Sequence, residues 1–350
     1  MIRLLIVDDS PFMRKVLTDI CKKDEEIIVV GEAGHGEEAL KKIPLLKPDV
    51  ITLDIEMPIM DGIDTLKNIT KNYNIPVVMI SSLTTEGANL TLKALEEGAI
   101  DFIPKPKDIF KLSDEKIRSD ITNKIKAASK YKIKLDYKKK SIIRPSKIHI
   151  PKPNSSTKEF EYIIAIGTST GGPRALQSVL PLLSAKINAA IVVVQHMPPK
   201  FTKSLSDRLN VLSNINVKEG EEGDVLKRGC CYIAPGDYHM RVETINNKHI
   251  IRLNKEKPIK GLRPAADILM ESVAKLDNLD KVGIVMTGMG SDGARGITEI
   301  KKSNGYIIAQ DKESSVVFGM PKLAIETGCV DKIIPLNGIA NEIMSIVGVQ

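Results

Sequence analysis

The 350-residue sequence has no tryptophan, few other aromatic residues and no long apolar run. Aromatics make up 4% of the chain, which argues against an aromatic-rich binding sheet. No stretch approaches the roughly 20 apolar residues that a membrane-spanning helix needs. The N-terminal run LLIV ends at two aspartates, without the apolar segment of a signal peptide. We therefore expect a cytoplasmic protein with no direct membrane insertion.

Cysteine is also scarce, and its spacing argues against two kinds of site. The four cysteines, Cys21, Cys230, Cys231 and Cys329, form no CxxC pair, and the two that are adjacent are poorly placed to bridge. Neither a disulfide framework nor a zinc site is suggested. Hydrophobic residues at 42% and charged residues at 27% are typical of globular proteins, and the length favours two domains.

The excess of positive charge is concentrated in one segment. Of the net charge of +7, the segment from Ile121 to Phe160 contributes about +10, with twelve Lys or Arg and two acidic residues. The same segment contains three prolines and a run of small polar residues, which predicts a linker. We place it at residues 121–159, between domains at 1–120 and 160–350. Because aromatics are scarce within it, we interpret it as a solvated spacer and expect no nucleic-acid partner.

Apolar runs alternate with helical patterns up to about residue 120. The runs lie at Leu4 to Val7, from Ile27, before Asp54, before Ser81 and around Phe102. Strict alternation of strands and helices predicts an α/β domain with a five-stranded, doubly wound parallel sheet flanked by helices. In such sheets, functional residues gather at the carboxyl ends of the strands.

Five polar residues follow strands of this predicted sheet. Asp8 and Asp9 follow the first strand and Asp54 follows the third, so three carboxylates converge on one edge. A Mg²⁺ ion would offset their repulsion and neutralise an incoming phosphoryl group. Asp54 could then act as a nucleophile and form an aspartyl phosphate. Ser81 and Lys105, after the fourth and fifth strands, could bind the phosphoryl oxygens.

The motifs DDS, LDIEMPIMDG, SSLT and GAIDFIPKP around these residues resemble the response-regulator receiver family. The resemblance implies that Asp54 is the phosphoacceptor, and that Ser81 keeps the hydroxyl that many receivers supply with threonine. It implies that the Mg²⁺ ligands are Asp9, Asp54 and the carbonyl of Glu56, with Asp8 acting partly through water. The residues that would transmit the switch are Ser81, Phe102 and Lys105.

The second domain opens with a glycine- and serine-rich turn between a predicted strand and a predicted helix. Gly167, Ser169 and Gly171 in GTSTGGP spell G-x-S-x-G, which in this context forms a tight elbow that exposes a nucleophilic serine. A turn of this composition can equally cradle a nucleotide phosphate at a helix N-terminus, or be a plain turn. The motif alone does not decide among the three.

A serine nucleophile needs a base and a group that orients the base. His196 ends the apolar strand AAIVVVQ, and Asp292 follows another buried strand, so both are expected near Ser169 at one sheet edge. Asp292 by itself could be a helix N-cap, and His239 and His249 have ordinary hairpin explanations. Three converging strand ends nevertheless favour a Ser169–His196–Asp292 triad.

The order serine, histidine, aspartate along the chain differs from the order in α/β-hydrolases, so the G-x-S-x-G motif does not predict the α/β-hydrolase fold here. The blocks AIGTSTGGPRAL, VVQHMPPKFTKSLSDRL, CYIAPGDYHM, GLRPAADILMESVA, TGMGSDGARG and AQDKESSVVFGMPKLAIETG resemble the chemotaxis protein-glutamate methylesterase family. Together with the receiver, the resemblance covers the chain except the linker. We expect a larger doubly wound α/β hydrolytic domain with a β-hairpin.

This resemblance implies an enzyme that removes methyl groups from glutamate methyl esters on chemoreceptor cytoplasmic domains and deamidates specific receptor glutamines. Ser169 would attack the carbonyl, with His196 as base, and the backbone N–H groups of Met289 and Thr170 would hold the oxyanion. No metal or other cofactor is implied in this domain. A chemotaxis histidine kinase would phosphorylate Asp54, and the receiver would cover the catalytic cleft until it is phosphorylated.

Two other functions are considered beside this one. In the first, the chain is a response regulator with a non-catalytic nucleotide- or DNA-binding output domain, in which GTSTGG cradles phosphate. The positions of His196 and Asp292 and the lack of a recognition-helix pattern argue against it. The second, a metal-dependent hydrolase that uses Asp237 and His239, lacks a clustered set of ligands.

Overall fold

The computed structural model describes residues 1–105, 115–131 and 159–347. They form two compact units, one within Met1–Lys140 and the other within Ser141–Gln350. Both units are α/β, with a parallel sheet flanked by helices, so the predicted fold class is confirmed. No helix of the described ranges combines the length and apolarity that a membrane crossing requires.

Within its described residues, the first unit alternates strands and helices. Its elements are β1 (Ile2–Val7), α1 (Pro11–Cys21), β2 (Ile27–Ala33), α2 (Gly36–Leu46), β3 (Val50–Asp54), α3 (Gly62–Asn72), β4 (Val77–Ser81), α4 (Thr85–Glu97), β5 (Asp101–Pro104) and α5 (Glu115–Ser129). The strands are parallel in the order β2-β1-β3-β4-β5, and β3 and β4 are buried throughout. The strand order reverses between β1 and β3, which opens a crevice at their carboxyl ends.

Side-chain caps fix where three helices of this unit begin. Ser10, Asp61 and Thr84 each accept a hydrogen bond from the backbone N–H three residues later, at the starts of α1, α3 and α4. At the other end of α4, Gly98 has φ of 119°, a conformation that favours glycine. The loops at the carboxyl ends of β1, β3 and β4 therefore lead directly into anchored helices.

Helix α5 extends past the domain end predicted at residue 120. Ile121, Ile125 and Ala128 are buried, and their spacing of four and three residues places them on one helical face. Lys126 pairs with Asp24 on the same unit. Residues 121–129 thus pack as part of the first unit, because this apolar stripe decides the fold despite the basic composition. The predicted spacer between residues 132 and 158 lies outside the described residues.

The second unit is built around a seven-stranded parallel sheet and a separate antiparallel hairpin. Its elements are β6 (Tyr162–Thr168), α6 (Gly172–Val179), a short 3-10 helix (Leu180–Leu182), β7 (Ala189–Gln195), α7 (Phe201–Leu212), β8 (Asn216–Glu219), β9 (Cys230–Ile233), β10 (His239–Ile245), β11 (Lys248–Asn254), α8 (Ala266–Ala274), β12 (Asp280–Val285), α9 (Ala294–Lys302), β13 (Tyr306–Gln310), α10 (Met320–Glu326), β14 (Lys332–Ile334) and α11 (Leu336–Ile346). The sheet order is β14-β13-β12-β6-β7-β9-β8.

The hairpin β10–β11 packs against helix α8. Its two-residue turn has positive φ at Asn246 and Asn247, the backbone that asparagine tolerates best after glycine. The Val242 N–H donates to the Ser272 hydroxyl of α8 at 2.9 Å. The hairpin is thereby bonded to α8.

Strand β6 lies at the centre of the large sheet, between β7 and β12. The chain leaves β6 toward β7 on one side and later returns on the other side through β12. The carboxyl ends of these three neighbouring strands therefore meet at a topological switch point, where the connecting loops diverge and leave a crevice.

Candidate functional site

Ser169, His196 and Asp292 each follow one of the three central strands of the large sheet. Ser169 follows β6, His196 follows β7, and Asp292 lies in the loop after β12. The loops are joined through the backbone: the His196 N–H donates to the Thr168 carbonyl at 3.2 Å, and the Ser169 N–H donates to the Thr287 carbonyl at 3.0 Å. The tertiary structure thus brings the three sequence-predicted residues to one edge.

His196 and Asp292 are directly hydrogen-bonded. His196 Nε2 lies 2.7 Å from Asp292 Oδ2, and the two side chains are only 8% and 3% exposed. A carboxylate accepts and does not donate, so Nε2 carries the proton of this bond. Nδ1 is buried and has no hydrogen-bond partner among the described residues. It is therefore the ring nitrogen that is free to act as a base.

The Asp292 carboxylate is held by backbone donors as well as by the histidine. It accepts from the N–H groups of Ala266 at 2.6 Å, Asp267 at 2.9 Å and Gly293 at 3.1 Å. Burial opposes ionisation, but the hydrogen bond and charge of His196 and these backbone donors prevail and lower the pKa of Asp292. Asp292 therefore remains an anion that orients the ring.

The turn that carries Ser169 requires glycine at one position. The residue with positive φ in this turn is Gly171, at 78°, and not the serine. A Cβ at Gly171 would meet Val316 at 2.6 Å, so glycine is required there for space and for backbone conformation. The turn places Ser169 just before α6 without storing backbone strain at the serine itself.

Gln195, which sequence reasoning missed, braces the serine and the histidine. Its buried side-chain Nε2 donates to the carbonyls of Ser169 at 3.0 Å and His196 at 3.2 Å. A Cβ at Gly172 would lie 2.0 Å from its Oε1, so the amide packs tightly under the turn. The available signal was a polar residue that ends the otherwise apolar strand AAIVVVQ, directly before the candidate base.

The two predicted oxyanion donors belong to backbone segments next to Ser169. Thr170 is the next residue, and Met289 belongs to a loop that approaches so closely that a Cβ at Gly288 would lie 2.8 Å from the Ser169 Cβ. Within the described ranges, the N–H groups of Met289 and Thr170 donate to no protein acceptor. The Met320 N–H holds the loop by donating to the Gly288 carbonyl at 2.8 Å. Both N–H groups are free to serve a ligand.

The other two described histidines of this unit, His239 and His249, and the acid Asp237 have structural partners. Asp237 is paired with Arg263, whose Nε lies 3.1 Å from its Oδ1, and this pair lowers the pKa of Asp237. His239 is buried and contacts a backbone carbonyl, while His249 pairs with Thr244 across the hairpin at 3.0 Å. Among the described residues, no metal-ligand cluster includes Asp237 or His239.

The first unit contains the acidic cluster that the sequence predicted. Carboxylate oxygens of Asp8, Asp9 and Asp54 lie within 4.8 Å of one another, with Asp8 and Asp54 buried and Asp9 exposed. Lys105 Nζ lies 2.6 Å from Asp54 Oδ2 and 3.5 Å from Asp8 Oδ2. Glu56, whose carbonyl the resemblance implicates, follows with an exposed side chain. Within the part of the chain that the structure describes, one ammonium group faces three carboxylates.

The charges of this cluster are only partly balanced. Burial and the charges of Asp8 and Asp9 raise the pKa of Asp54 to about 6, despite the hydrogen bond from Lys105. Burial likewise raises the pKa of Asp8, whose Oδ2 makes no hydrogen bond within the described residues. Burial opposes the charge of Lys105, but Asp54 and the other carboxylates raise its pKa. An all-oxygen set with a buried oxygen that accepts no hydrogen bond within the described residues fits a hard cation such as Mg²⁺.

Besides Lys105, the other two predicted switch residues, Ser81 and Phe102, are held by helices. Ser81 is buried, and its hydroxyl lies 2.6 Å from the Thr91 hydroxyl of α4. The Phe102 ring is also buried; Lys124 of α5 donates to the Phe102 carbonyl at 2.9 Å and lies 5.3 Å from the ring centroid. Thr91 and Lys124 were not identified from the sequence, because helical side chains give no local sign of which strand residue they contact.

Comparisons with known proteins match both units. The family described as CheB methylesterase matches residues 164–343, and the response regulator receiver domain matches residues 4–115. A Pyrococcus horikoshii protein named protein-glutamate methylesterase/protein-glutamine glutaminase is 49% identical over 99% of this chain and 94% of its own length. A Bacillus subtilis protein of the same name is 46% identical over 99% of both chains.

One solved structure matches the second unit. It is the crystal structure of the Thermotoga maritima CheB methylesterase catalytic domain, which is 44% identical, covers 53% of this chain and 98% of that chain, and has a TM-score of 0.52. The similarity therefore extends from sequence to the arrangement of strands and helices.

Proposed function

Because this chain belongs to the CheB methylesterase family and carries a response regulator receiver domain, we propose that Ser169, His196 and Asp292 catalyse its reaction. That reaction is the hydrolysis of glutamate methyl esters, together with the deamidation of glutamines, in chemotaxis adaptation. The observation that most supports this triad is the 2.7 Å bond between His196 and Asp292 beside the strand that leads to Ser169. The relatives that match nearly the whole chain are named as enzymes, so a non-catalytic output domain is not retained.

The proposed chemistry is acyl transfer in two steps. The Ser169 hydroxyl attacks the ester or amide carbonyl while Nδ1 of His196 takes its proton, because Asp292 occupies Nε2. The imidazolium returns the proton to the departing methanol or ammonia, and water then releases the acyl group by the reverse sequence. The N–H groups of Met289 and Thr170 stabilise the oxyanion, which is consistent with their lack of protein acceptors in the described ranges.

The first unit is proposed to regulate this reaction through phosphorylation of Asp54. The residues that would hold Mg²⁺ are Asp8, Asp9, Asp54 and the carbonyl of Glu56, and the ion would supply positive charge for phosphoryl transfer. Lys105 binds the phosphoryl oxygens, and Ser81 and Phe102 change their contacts when the group arrives. The raised pKa of Asp54 supports the proposal, since a carboxylate short of compensating charge gains most from a cation.

The proposed partners follow from this scheme. The substrates are methylated cytoplasmic domains of chemoreceptors, and the phosphodonor is a chemotaxis histidine kinase. Both place the reaction in the cytoplasm. No nucleic-acid partner is part of the proposal.

Methanol release from methylated receptor fragments tests the triad. We expect Ser169→Ala to lower the rate by about 10³-fold or more, because the oxyanion donors and substrate binding alone retain little of the catalysis. Ser178→Ala is the matched control, since Ser178 is an exposed serine on α6 of the same unit and should leave the rate unchanged. Near-normal turnover by Ser169→Ala would show that the nucleophile is misassigned.

A further inference from the structure

Asp267 is a buried carboxylate next to the site to which the mechanism above gives no role. It lies in the first turn of α8 and is 5% exposed. Its Oδ1 accepts hydrogen bonds from the N–H groups of Gly293 at 2.9 Å and Gly296 at 2.8 Å, which belong to the start of α9. Asp267 therefore caps a helix other than its own.

Asp292 makes the reciprocal contact. It precedes α9, yet it accepts the N–H groups of Ala266 and Asp267 at the start of α8. Asp267 of α8 thus binds the N-terminus of α9, and Asp292, just before α9, binds the N-terminus of α8. The two helices are also in close contact, because a Cβ at Gly296 would lie 2.5 Å from the Met270 Cβ. The exchange of caps fixes the two helix starts against each other.

The two carboxylates share one donor. The Gly293 N–H lies 2.9 Å from Asp267 Oδ1 and 3.1 Å from Asp292 Oδ1, so Asp267 holds the peptide group that directly follows Asp292. Removing the Asp267 carboxylate would leave the N–H groups of Gly293 and Gly296 without their main acceptor, and the loop would readjust to satisfy them. Because Asp292 lies in this loop, its bond to His196 would be displaced.

We propose that Asp267 is a positioning residue, which holds the Asp292 loop so that Asp292 meets His196 in the productive geometry. The proposal rests on the triad proposed above and extends it by one residue that does not touch the substrate. A displacement of about 1 Å at a catalytic group costs about 10²-fold in rate, so the capping bonds affect turnover well beyond their contribution to stability.

Steady-state methanol release by the full chain, with kcat and KM measured separately, tests the proposal. We expect Asp267→Ala to lower kcat about 10- to 100-fold with KM within twofold of the wild type. Asp267→Asn keeps an acceptor oxygen for the N–H groups of Gly293 and Gly296. Its kcat should therefore lie within about threefold of the wild-type value. Labelling of Ser169 by a fluorophosphonate, which needs the base but no receptor, should slow in parallel with kcat.

Asp224→Ala is the matched control. It removes a carboxylate that accepts the Glu221 N–H at 2.9 Å in the loop after β8, so it should lower the melting temperature while kcat stays unchanged. If Asp267→Ala melts below the assay temperature, Asp267→Ser replaces it, with the same expected loss of kcat. A kcat within twofold of the wild type, or an equal loss in the Asn and Ala variants, overturns the positioning role. If Ser169→Ala retains turnover, the triad itself is wrong.

Discussion

Asp292 and Asp54 are both buried aspartates at the carboxyl edge of a parallel sheet, but their surroundings treat the negative charge in opposite ways. Asp292 accepts three backbone N–H groups and one imidazole N–H, and these donors lower its pKa. Asp54 lies beside two other carboxylates with one lysine as its partner, and burial raises its pKa to about 6.

The difference shows how one residue type performs two kinds of chemistry. A carboxylate whose charge is already satisfied by fixed donors is a poor nucleophile and a good permanent anion, which suits the orientation of His196. A carboxylate that lacks compensation is poised to bind a cation and to accept a phosphoryl group. The local supply of donors, rather than the residue or its place on the sheet, separates the two proposed roles.

Substituting each of the two aspartates separately is the strongest test of this comparison. Asp292→Asn should lower basal methanol release about 10²- to 10⁴-fold, because the amide no longer fixes the ring or stabilises the imidazolium. Asp54→Ala should leave basal release unchanged and abolish only the increase produced by a small phosphodonor with Mg²⁺. Both variants are assayed with and without the donor. Loss of basal activity in Asp54→Ala would contradict the separation of roles.

Removing the brace beneath the catalytic residues should have the next largest effect. Gln195→Leu deletes the hydrogen bonds to the carbonyls of Ser169 and His196, and we expect kcat to fall about 10- to 100-fold. The variant is compared with wild type by methanol release and by thermal melting. A loss of stability with unchanged kcat would mean that Gln195 supports the fold alone.

Separating the two units tests whether the receiver restrains catalysis. A fragment that begins near Phe160 retains Ser169, His196 and Asp292, so it should be active without a phosphodonor. Because it lacks the receiver that is expected to cover the catalytic cleft, it should also be faster than the unphosphorylated full chain. A tenfold difference needs only about 1.4 kcal/mol of differential stability between two states. If the fragment is slower than the resting full chain, the receiver assists catalysis or substrate delivery. The hypothesis that the unphosphorylated receiver inhibits the enzyme would then be wrong.

The pKa of Asp54 predicts a smaller effect, on stability. Because this pKa is raised in the folded state, the unfolded chain loses the proton first, and stability falls as pH rises from about 4 to 6. Asp54→Asn removes this cost and should stabilise the first unit by up to about 3 kcal/mol above pH 6, with no gain below pH 4. The free energy of unfolding of both proteins is measured by denaturation as a function of pH, with a chelator present to remove divalent cations. Added Mg²⁺ should stabilise the wild type at pH 7 and not the variant.

The basic segment should contribute least. We expect that replacing the six lysines from Lys130 to Lys140 by glutamine changes neither the esterase rate nor its response to phosphodonor at physiological salt. The spacer interpretation is tested by this variant because lysine-rich polymers bind polyanions weakly and without specificity. A large loss of either quantity would show that the charges have a function.

Much of the architecture could be predicted because the signals are local. The alternation of apolar runs with helical patterns predicted the parallel sheets. The reactive side chains at the predicted strand ends identified Ser169, His196 and Asp292 as candidates. The predicted domain end at residue 120 stopped short of the end of α5 at Ser129, because the apolar stripe of Ile121, Ile125 and Ala128 is diluted by lysines.

The sequence by itself determined the chemical groups of both candidate sites and the strand ends that carry them, because hydrophobic periodicity and short motifs are written along the chain. Only the tertiary structure decided which donors meet each carboxylate: α8 donates to Asp292, the start of α9 donates to Asp267, and Lys105 pairs with Asp54. These partners lie 25 or more residues apart in the chain. Their contacts depend on how the helices pack, which no local pattern specifies.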